Sequence, residues 1–259
     1  MTMSKSMPHT DRKKRMVIKL GGSMLEGLNE TFFHHLKEVQ QTYDVIIVHG
    51  GGPAINEALA QANIATHKID GIRVTDEQAI HLVANTLIGE VNPMLVGQLN
   101  QAGIKAMGLN GQDAKLLQCH YLNKEVFGYV GEIDTVNMAI LEQLQALNIL
   151  PVVACIGATN TGQLLNINGD TVACDVALAN QADELLFVTD VDGIRIEDVS
   201  IQQTTAQQIQ GWITNGAIYG GMIPKVEAAM TCVDAGIPAV KIVGATLQGT
   251  TILKEKVTQ

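Results

Sequence analysis

Short runs of aliphatic residues alternate along the chain with longer segments whose apolar residues recur at helical spacing. Runs that are rich in β-branched residues, bounded by glycine and too short for buried helices are typical of interior strands in a parallel sheet. Predicted strands occupy residues 16–20, 45–48, 104–109 and 150–155, the segment ELLFVTDVDGI, and the closing segments PAVKIV and GTTIL. Predicted helices occupy residues 29–42, 76–89, 91–101, 138–147 and 170–180, and two more begin at Pro53 and near Pro224. This alternation predicts an α/β protein, either one large domain or two closely joined lobes.

Turn-forming residues interrupt this pattern at three places. The pair Asp70-Gly71 stands between two isoleucines and predicts a hairpin, which carries Arg73 onto a strand. A second hairpin is predicted around Thr161-Gly162, and residues 111–132 resemble β-hairpin material.

Two glycine turns follow predicted strands. In VHGGGP, Gly50, Gly51 and Gly52 allow a bound group to approach main-chain N–H donors, and Pro53 suits the first position of a helix. A strand, a glycine turn and a helix N-terminus together favour an anion. The alternative is a tight connection between strand and helix that binds no ligand.

Two cations stand beside these turns. Lys19 in KLGGS lies at the end of the first strand, where its ammonium could be held over phosphate oxygens, or could simply be solvated. Arg73 could fold over the glycine turn and grip a carboxylate by paired hydrogen bonds, or could form an ordinary surface ion pair. The chain contains neither a GxxxxGK[ST] loop nor GxGxxG.

The second half contains another dense group of polar residues. In LNINGD, Asn166, Asn168 and Asp170 precede a helix, for which Asp170 could be only a cap. Thr189, Asp190 and Asp192 stand at the C-terminal end of a predicted strand, where ligands collect in open α/β sheets. In GGMIPK, Lys225 lies in the first turn of a helix, although the helix dipole there prefers an anion. That conflict is expected where a cation and a helix end meet one anionic group.

Composition narrows the class of protein. The net charge of −9 argues against general nucleic-acid binding, which needs a basic face. Four cysteines stand far apart without ligand spacing, so we expect buried thiols in a reducing cytoplasm and neither a disulfide scaffold nor a metal site. No run of 18 apolar residues is present, so we expect no membrane span. Residues 1–15 are polar and basic and predict a flexible tail.

The blocks KLGGS, VHGGGP, GIRVT, LNINGD, VTDVDGI and GGMIPK, in that order, closely resemble the amino-acid kinase family, and within it the members that phosphorylate N-acetyl-L-glutamate. The resemblance spans residues 16–254. It implies a three-layer αβα sandwich with an open, mainly parallel central sheet. It further implies an N-terminal lobe, residues 16–155, that binds the acyl amino acid and forms the dimer contact, and a C-terminal lobe, residues 156–259, that binds ATP.

The resemblance also implies roles for individual residues. Lys19 and Lys225 would approach the transferring phosphoryl group from opposite sides, and Asp170 would hold both lysines. Mg²⁺ would be held mainly through the ATP phosphates and not by a protein ligand set. The acceptor would be bound by Gly51, Gly52, Arg73 and Asn166. The nucleotide would be bound by Gly21, Gly22, Ser23, Thr189, Asp190, Val191, Gly193, Ile194, Ile218, Tyr219, Gly221 and Met222.

Several alternatives remain open from the sequence. The acceptor could be a related carboxylate such as an N-blocked aminoadipate or, against the motifs, carbamate or a nucleoside monophosphate. The chain could also be a non-catalytic amino-acid-binding regulator. The apolar faces of residues 76–101 could form a subunit interface or ordinary core. The short N-terminal segment and the abbreviated C-terminal segment predict a homodimer without arginine feedback, whereas arginine-inhibited members form hexamers.

Overall fold

The computed structural model of the chain describes residues 13–25 and 27–255. The strands are β1 (Lys14–Leu20), β2 (Tyr43–His49), β3 (Lys68–Ile69), β4 (Ile72–Arg73), β5 (Ala106–Leu109), β6 (Leu117–Tyr121), β7 (Gly131–Val136), β8 (Leu150–Ala154), β9 (Ile156–Ala158), β10 (Leu164–Asn166), β11 (Glu184–Val188), β12 (Arg195–Ile196), β13 (Val199–Ser200), β14 (Gln203–Thr205), β15 (Ala239–Val243) and β16 (Gly249–Leu253). The helices are α1 (Gly22–Leu25), α2 (Glu30–Thr42), α3 (Gly52–Gln61), α4 (Glu77–Asn85), α5 (Asn92–Gln101), α6 (Lys124–Phe127), α7 (Met138–Ala146), α8 (Gly169–Ala179), α9 (Ala206–Thr214) and α10 (Met222–Asp234).

Eight strands form the central sheet in the order β14-β16-β15-β11-β1-β2-β8-β5. Every neighbouring pair is parallel except β15 with β16. One half of the sheet comes from the first part of the chain and the other half from the second part, and the halves meet where β1 pairs with β11. The C-terminal ends of β1 and β11 therefore lie side by side, which brings Lys19 close to the residues after Val188.

Helices cover both faces of this sheet because successive strand residues face opposite sides. Val17 packs in a core cluster that includes residues of α7, α8, α9 and α10, whereas Ile18 packs in a second cluster with residues of α1 to α5. The three-layer αβα class is therefore confirmed.

The predicted hairpins are present. β3 pairs with β4 antiparallel across Asp70-Gly71, and β9 pairs with β10 antiparallel across Thr161-Gly162. The region 111–132 contributes β6 and β7, an antiparallel pair within a second sheet of order β10-β9-β6-β7. The short helix α6 separates these two strands, so they are not joined by a tight turn.

The two helices predicted over residues 76–89 and 91–101 are one continuous helix, Glu77–Gln101. A π turn, Thr86–Val91, joins α4 to α5, and the N–H of Asn92 donates to the carbonyl of Leu87. This wider turn accommodates Pro93, which has no N–H to donate. Among the described residues this helix alone is long and apolar enough to cross a membrane, but half of it is buried in the protein, as in the core helix of a globular domain.

The limits of several elements differ from expectation. β1 begins at Lys14, so the end of the predicted tail belongs to the sheet, and residues 1–12 lie outside the described residues. The sequence patterns predicted neither β14 nor α9. Thr205 caps α9 in a capping box with Gln208, and Ile209 is the only buried residue among those described in this helix.

Candidate active site

Three adjoining cavities open where the strands of the central sheet end. The glycine cavity, about 240 Å³, is lined by residues of the two glycine turns together with Arg73, Asn166, Lys19 and Asp170. The lysine cavity, about 200 Å³, contains Lys19 and Asp170 as well, and adds Asp190 and Lys225. The tyrosine cavity, about 520 Å³, shares Asp190 with the lysine cavity and extends to Tyr219. Because neighbouring cavities share wall residues, the three adjoin one another, and together they are called the groove.

Lys19 and Asp170 form the wall between the glycine and lysine cavities. Lys19 stands near the end of β1 with its side chain 18% exposed, and its Nζ lies 2.9 Å from Asp170 Oδ1. Asp170 is placed by the start of α8, where the side chain of Asn168 accepts hydrogen bonds from the backbone N–H groups of Asp170 and Thr171. The residue between, Gly169, lies against the stem of the lysine, since a Cβ there would be at ordinary van der Waals distance, 3.4 Å, from Lys19 Cε.

Lys225 enters the lysine cavity from α10 and donates a hydrogen bond to Asp190 Oδ1. In this structure Asp170 pairs with Lys19 and Asp190 pairs with Lys225, and the expectation that Asp170 holds both lysines stays a prediction. Asp190 lies two residues after the end of β11 and pairs with Lys225 in the first turn of α10, while Asp170 pairs with Lys19 of β1. The hydrogen bond from Lys225 lowers the pKa of Asp190, which therefore stays ionised beside the ammonium group. The conflict between Lys225 and the helix dipole is offset by this carboxylate.

The glycine turn between β2 and α3 is closely packed on both sides. A Cβ on Gly22 would lie 2.6 Å from the backbone nitrogen of Gly52, and one on Gly51 would lie 2.6 Å from Leu87 Cδ2. A Cβ on Gly22 would overlap backbone, so glycine is required there, whereas a Cβ on Gly51 would displace the end of the Leu87 side chain. Gly22 was expected to contact the nucleotide, but it lines the glycine cavity instead, because α1 brings it against Gly52.

Arg73 is a buried cation with neutral partners. Its side chain lies in the wall of the glycine cavity, and the residue is only 7% exposed. Its Nη1 donates to Thr66 Oγ1 at 2.7 Å, and its Nη2 donates to Asn56 Oδ1. Within residues 13–25 and 27–255, no carboxylate lies within 4.0 Å of the guanidinium, and burial lowers its pKa. A buried charge that lacks a counter-ion favours an anionic ligand in the adjoining cavity.

Further polar residues complete the glycine cavity. Asn166 Nδ2 donates to Thr75 Oγ1 at 3.1 Å, which fixes the amide at the cavity wall. Lys68 also lines the cavity and was not expected there, although it pairs with Arg73 across the β3–β4 hairpin. That cross-strand register was the signal that could have identified it.

The residues expected to bind the nucleotide are divided between two cavities. Gly21, Thr189 and Asp190 line the lysine cavity. The tyrosine cavity is lined by Asp190, Val191, Gly193, Ile218, Tyr219 and Met222. Gly221 lies between two of these residues without itself lining the cavity, and the side chain of Ser23 lies outside the described part.

Ile194 does not line the groove. Its side chain is 1% exposed in the core, and its N–H donates to Thr250 Oγ1 at 2.7 Å. Both its side chain and its backbone donor are occupied within the protein, and the expectation that Ile194 contacts a nucleotide stays a prediction.

Charge is distributed unevenly along the groove. The charged residues around the glycine cavity are Lys19, Lys68, Arg73 and Asp170, which leaves an excess of two positive charges, three minus one. Around the lysine cavity, two lysines are balanced by two aspartates. Cys155, which also lines the glycine cavity, is no nucleophile, because burial raises the pKa of its thiol to about 12.

These features define a class of protein. A positively charged cavity and a larger cavity each adjoin a third cavity that holds two lysines, and such an arrangement suits transfer of a phosphoryl group between two bound molecules by positioning and charge neutralisation. The fold and the groove are those of a small-molecule kinase. Residues 14–243 match the model of the amino acid kinase family, and the chain belongs to that family.

Similar proteins agree with this membership. The chain is 43% identical over 240 residues to acetylglutamate kinase of Bacillus cereus strain AH187, covering 93% of each protein. It is 44% identical over 231 residues to acetylglutamate kinase of Bacillus mycoides strain KBAB4, covering 89% of this chain and 90% of that one.

Among solved structures, smu.665 from Streptococcus mutans UA159 superposes with a TM-score of 0.83 at 34% identity, over 92% of this chain and 98% of that chain. Carbamate kinase from Giardia lamblia bound to AMP-PNP superposes with a TM-score of 0.68 at 16% identity, over 94% of this chain and 99% of that chain, which shows the shared fold alone.

Proposed function

We propose that this chain transfers the γ-phosphoryl group of ATP to the side-chain carboxylate of N-acetyl-L-glutamate, giving N-acetyl-L-glutamyl 5-phosphate, the second step of arginine biosynthesis by the acetylated route. The observation that carries the proposal is the glycine cavity, whose wall contains Lys19 and a buried arginine that has no carboxylate within 4.0 Å among the described residues. The names of the similar proteins from Bacillus support the same acceptor.

The charge of the glycine cavity supports an acceptor with two carboxylates and no ammonium group. N-acetyl-L-glutamate carries two negative charges at neutral pH, which match the excess of two positive charges around the cavity. Free glutamate would add a cation beside Lys68 and Arg73. We therefore expect the acetyl group to be required because it removes the ammonium charge.

Arg73 and Asn166 would bind the α-carboxylate, while the N–H groups of Gly51 and Gly52 would donate to the side-chain carboxylate. Those N–H groups stand at the start of α3, where they have no intrahelical acceptor. This arrangement holds the acceptor by both ends, so its reacting oxygen is directed toward Lys19.

The acceptor carboxylate is already ionised at neutral pH, so the reaction needs no general base. One carboxylate oxygen forms a bond to the γ-phosphorus as the bond from that phosphorus to the oxygen shared with the β-phosphate breaks, and ADP leaves. Lys19 on the acceptor side and Lys225 on the nucleotide side would stabilise the negative charge on the transferring group. Asp170 and Asp190 would position these lysines.

ATP would occupy the lysine and tyrosine cavities, with its phosphates near Lys225 and its nucleoside against Ile218, Tyr219 and Met222. Among the described residues there is no group of three or more His, Cys, Asp or Glu side chains that could hold a metal ion. Mg²⁺ would therefore be held mainly by the ATP phosphates, whose charge it neutralises.

The two halves of the sheet suggest that the acceptor and ATP are bound by different lobes. We assign residues 16–155 to the acceptor and to dimer formation, and residues 156–259 to ATP. The boundary falls between β8 and β9, while β1 and β11 join the lobes through the sheet. Asn166 belongs to residues 156–259, but β10 places it in the wall of the glycine cavity, which we assign to the acceptor.

An ADP-release assay tests the activity across N-acetyl-L-glutamate, glutamate, aspartate and N-acetylaminoadipate. We expect the highest kcat/KM with N-acetyl-L-glutamate, and the variant Lys19→Ala serves as the control for contaminating ATPase activity. A higher kcat/KM with N-acetylaminoadipate would assign a longer acceptor, since both compounds carry two negative charges. If none of the four compounds supports ADP release, kinase activity is refuted and a binding protein is favoured.

We further propose that the protein is a cytoplasmic homodimer formed by the N-terminal lobe. Met94 on the long helix is 42% exposed, and Met107 on the edge strand β5 is 48% exposed, so both offer apolar surface on this lobe. Light scattering after size-exclusion chromatography should give twice the chain mass. A hexamer or a monomer would contradict this proposal.

A further inference from the structure

The imidazole of His49 is buried beneath the glycine turn, and the reaction described above makes no use of it. None of its surface is exposed. Its Nδ1 lies 2.9 Å from the carbonyl oxygen of Gly50, and its Nε2 lies 2.9 Å from Nδ2 of Asn92. A carbonyl oxygen can only accept, so Nδ1 carries the proton and donates, while Nε2 accepts from the amide of Asn92. Burial lowers the pKa of His49 to about 4, and the ring is neutral at pH 7.

Asn92 fixes this tautomer because its own orientation is fixed. The residue is 7% exposed, and its Nδ2 also donates to the carbonyl of Val152 at 3.0 Å, which occupies the second amide proton. Its Oδ1 occupies the space that a side chain on Gly108 would need, so glycine in β5 makes room for the amide. The network of imidazole and amide therefore has a single arrangement of donors and acceptors.

The long helix contacts the glycine turn at two points. Asn92 immediately follows the π turn and reaches His49, while Leu87 and Val91 within the π turn pack against Gly51. π turns inside helices often occur at functional sites. Here the wider turn brings two apolar contacts and one polar contact to the same short segment.

The glycine turn needs such support. Consecutive glycines have more backbone freedom than other residues, so Gly50, Gly51 and Gly52 do not by themselves keep their N–H groups in one orientation. Fixing the peptide between Gly50 and Gly51 by its carbonyl oxygen limits that freedom. A displacement of about 1 Å in a positioning group can lower a rate roughly 100-fold.

We propose that His49 and Asn92 are positioning residues for the acceptor, and that the neutral Nδ1–H imidazole fixes the carbonyl of Gly50 and thereby aligns the N–H groups of Gly51 and Gly52 with the acceptor carboxylate. This inference rests on the proposed function, because it assigns the glycine cavity to that acceptor. It adds the long helix to the elements that determine acceptor binding.

The hydrogen-bonding arrangement can be measured without any activity. Long-range ¹H–¹⁵N NMR spectra of the full chain distinguish the two neutral tautomers of each histidine. We expect one imidazole to be the Nδ1–H tautomer, to remain neutral from pH 7 down to pH 5, and to be missing from the spectrum of His49→Gln. An Nε2–H tautomer or a cation at pH 6 for His49 would overturn the inference.

Kinetics then test the positioning role. His49→Gln and Asn92→Ala should lower kcat/KM for N-acetyl-L-glutamate at least roughly tenfold while leaving the KM for ATP within about twofold. His49→Asn should retain more activity, because its amide nitrogen can approach the position of Nδ1 and donate to Gly50. The matched control is His35→Gln, since His35 Nδ1 also contacts a backbone carbonyl, that of Thr31 at 2.8 Å, but on the exposed face of α2. His35→Gln should behave as the wild type.

A merely structural role would give a different result. Variants with a lower melting temperature but unchanged KM for both substrates, measured per folded molecule, would refute the inference, and so would equal activity of His49→Gln and His49→Asn. If His49→Gln does not fold, Asn92→Ala and the NMR spectrum of the wild type still decide the question. An inactive wild type would refute the proposed function while leaving the NMR result as a separate test.

Discussion

Replacing Arg73 with lysine should raise the KM for N-acetyl-L-glutamate by roughly 10- to 150-fold and leave the KM for ATP nearly unchanged. The guanidinium has five N–H donors, of which one goes to Thr66 and one to Asn56, so three remain to grip a carboxylate. A lysine keeps the charge but loses the paired geometry. Losing one charge-assisted hydrogen bond costs about 1.5–3 kcal/mol, and about 1.4 kcal/mol corresponds to a tenfold change in affinity.

Steady-state rates of ADP release at varied acceptor and at varied ATP give both KM values for Arg73→Lys. The control is Arg15→Lys, because Arg15 stands near the opposite end of β1, where its Nη1 donates to the carbonyl of Asn180 at 2.6 Å. The control should leave the acceptor KM unchanged. An acceptor KM within twofold of wild type in Arg73→Lys, or a change confined to the KM for ATP, would refute the role of Arg73.

Thermal unfolding gives an independent measure of the same loss. A ligand present at 100 times its Kd stabilises the folded state by about 2.7 kcal/mol. If the Kd rises roughly 30-fold in Arg73→Lys, the same concentration of N-acetyl-L-glutamate should contribute only about 0.9 kcal/mol. The melting temperature of the variant should therefore rise much less with the acceptor than that of the wild type. An equal rise in both proteins would mean that Arg73 does not bind the acceptor.

Lys19→Ala and Lys225→Ala should each lower kcat by at least ~100-fold, by analogy with removal of one oxyanion donor, and unchanged turnover in either variant would contradict its assignment. Gly128→Ala should destabilise the fold by more than about 1 kcal/mol in urea unfolding, because its φ of 71° disfavours a side chain and a Cβ would overlap the carbonyl oxygen of Thr75. His49 has a folded pKa of about 4 and an ordinary value of 6.5, so the unfolded state binds more protons between these values and stability falls as pH falls. Between pH 7 and pH 5 the wild type should lose about 2 kcal/mol more than His49→Gln in urea unfolding, and equal losses would show that the imidazole is not buried in its neutral form.

Much of the architecture follows from local sequence signals. The strands of the central sheet, except β14, overlap predicted apolar runs, although β1 and β2 are longer than predicted, and hairpins form at Asp70-Gly71 and Thr161-Gly162. These elements were predictable because burial on both sheet faces demands continuous aliphatic runs and tight turns demand specific residues. The groove also brings together Lys19, Asp170 and Lys225, which lie far apart in the sequence.

Other features depend on tertiary contacts that no local pattern reveals. The π turn that merges two predicted helices forms where the helix passes the glycine turn, and Pro93 alone suggested a helix start. The pairing of Lys225 with Asp190, and not with Asp170, depends on how α10 packs against β15, the strand next to β11. Asn56 and Thr66 could not be identified as partners of Arg73, because small polar residues near a turn have many possible roles.

Because each lysine is paired with an aspartate, the acceptor and ATP meet different competition for the cations that would bind them. In the described chain Lys19 and Lys225 are both neutralised by carboxylates, so the lysine cavity is electrically balanced, whereas Arg73 has only neutral partners. An incoming acceptor therefore gains most from Arg73, while ATP must compete with Asp190 for Lys225. Asp190→Asn should weaken this competition and lower the KM for ATP, provided that the KM reports binding. A raised KM for ATP in that variant would instead mean that Asp190 contributes to binding the nucleotide and its Mg²⁺, which would make the ion pair with Lys225 a feature of the ligand-free state alone.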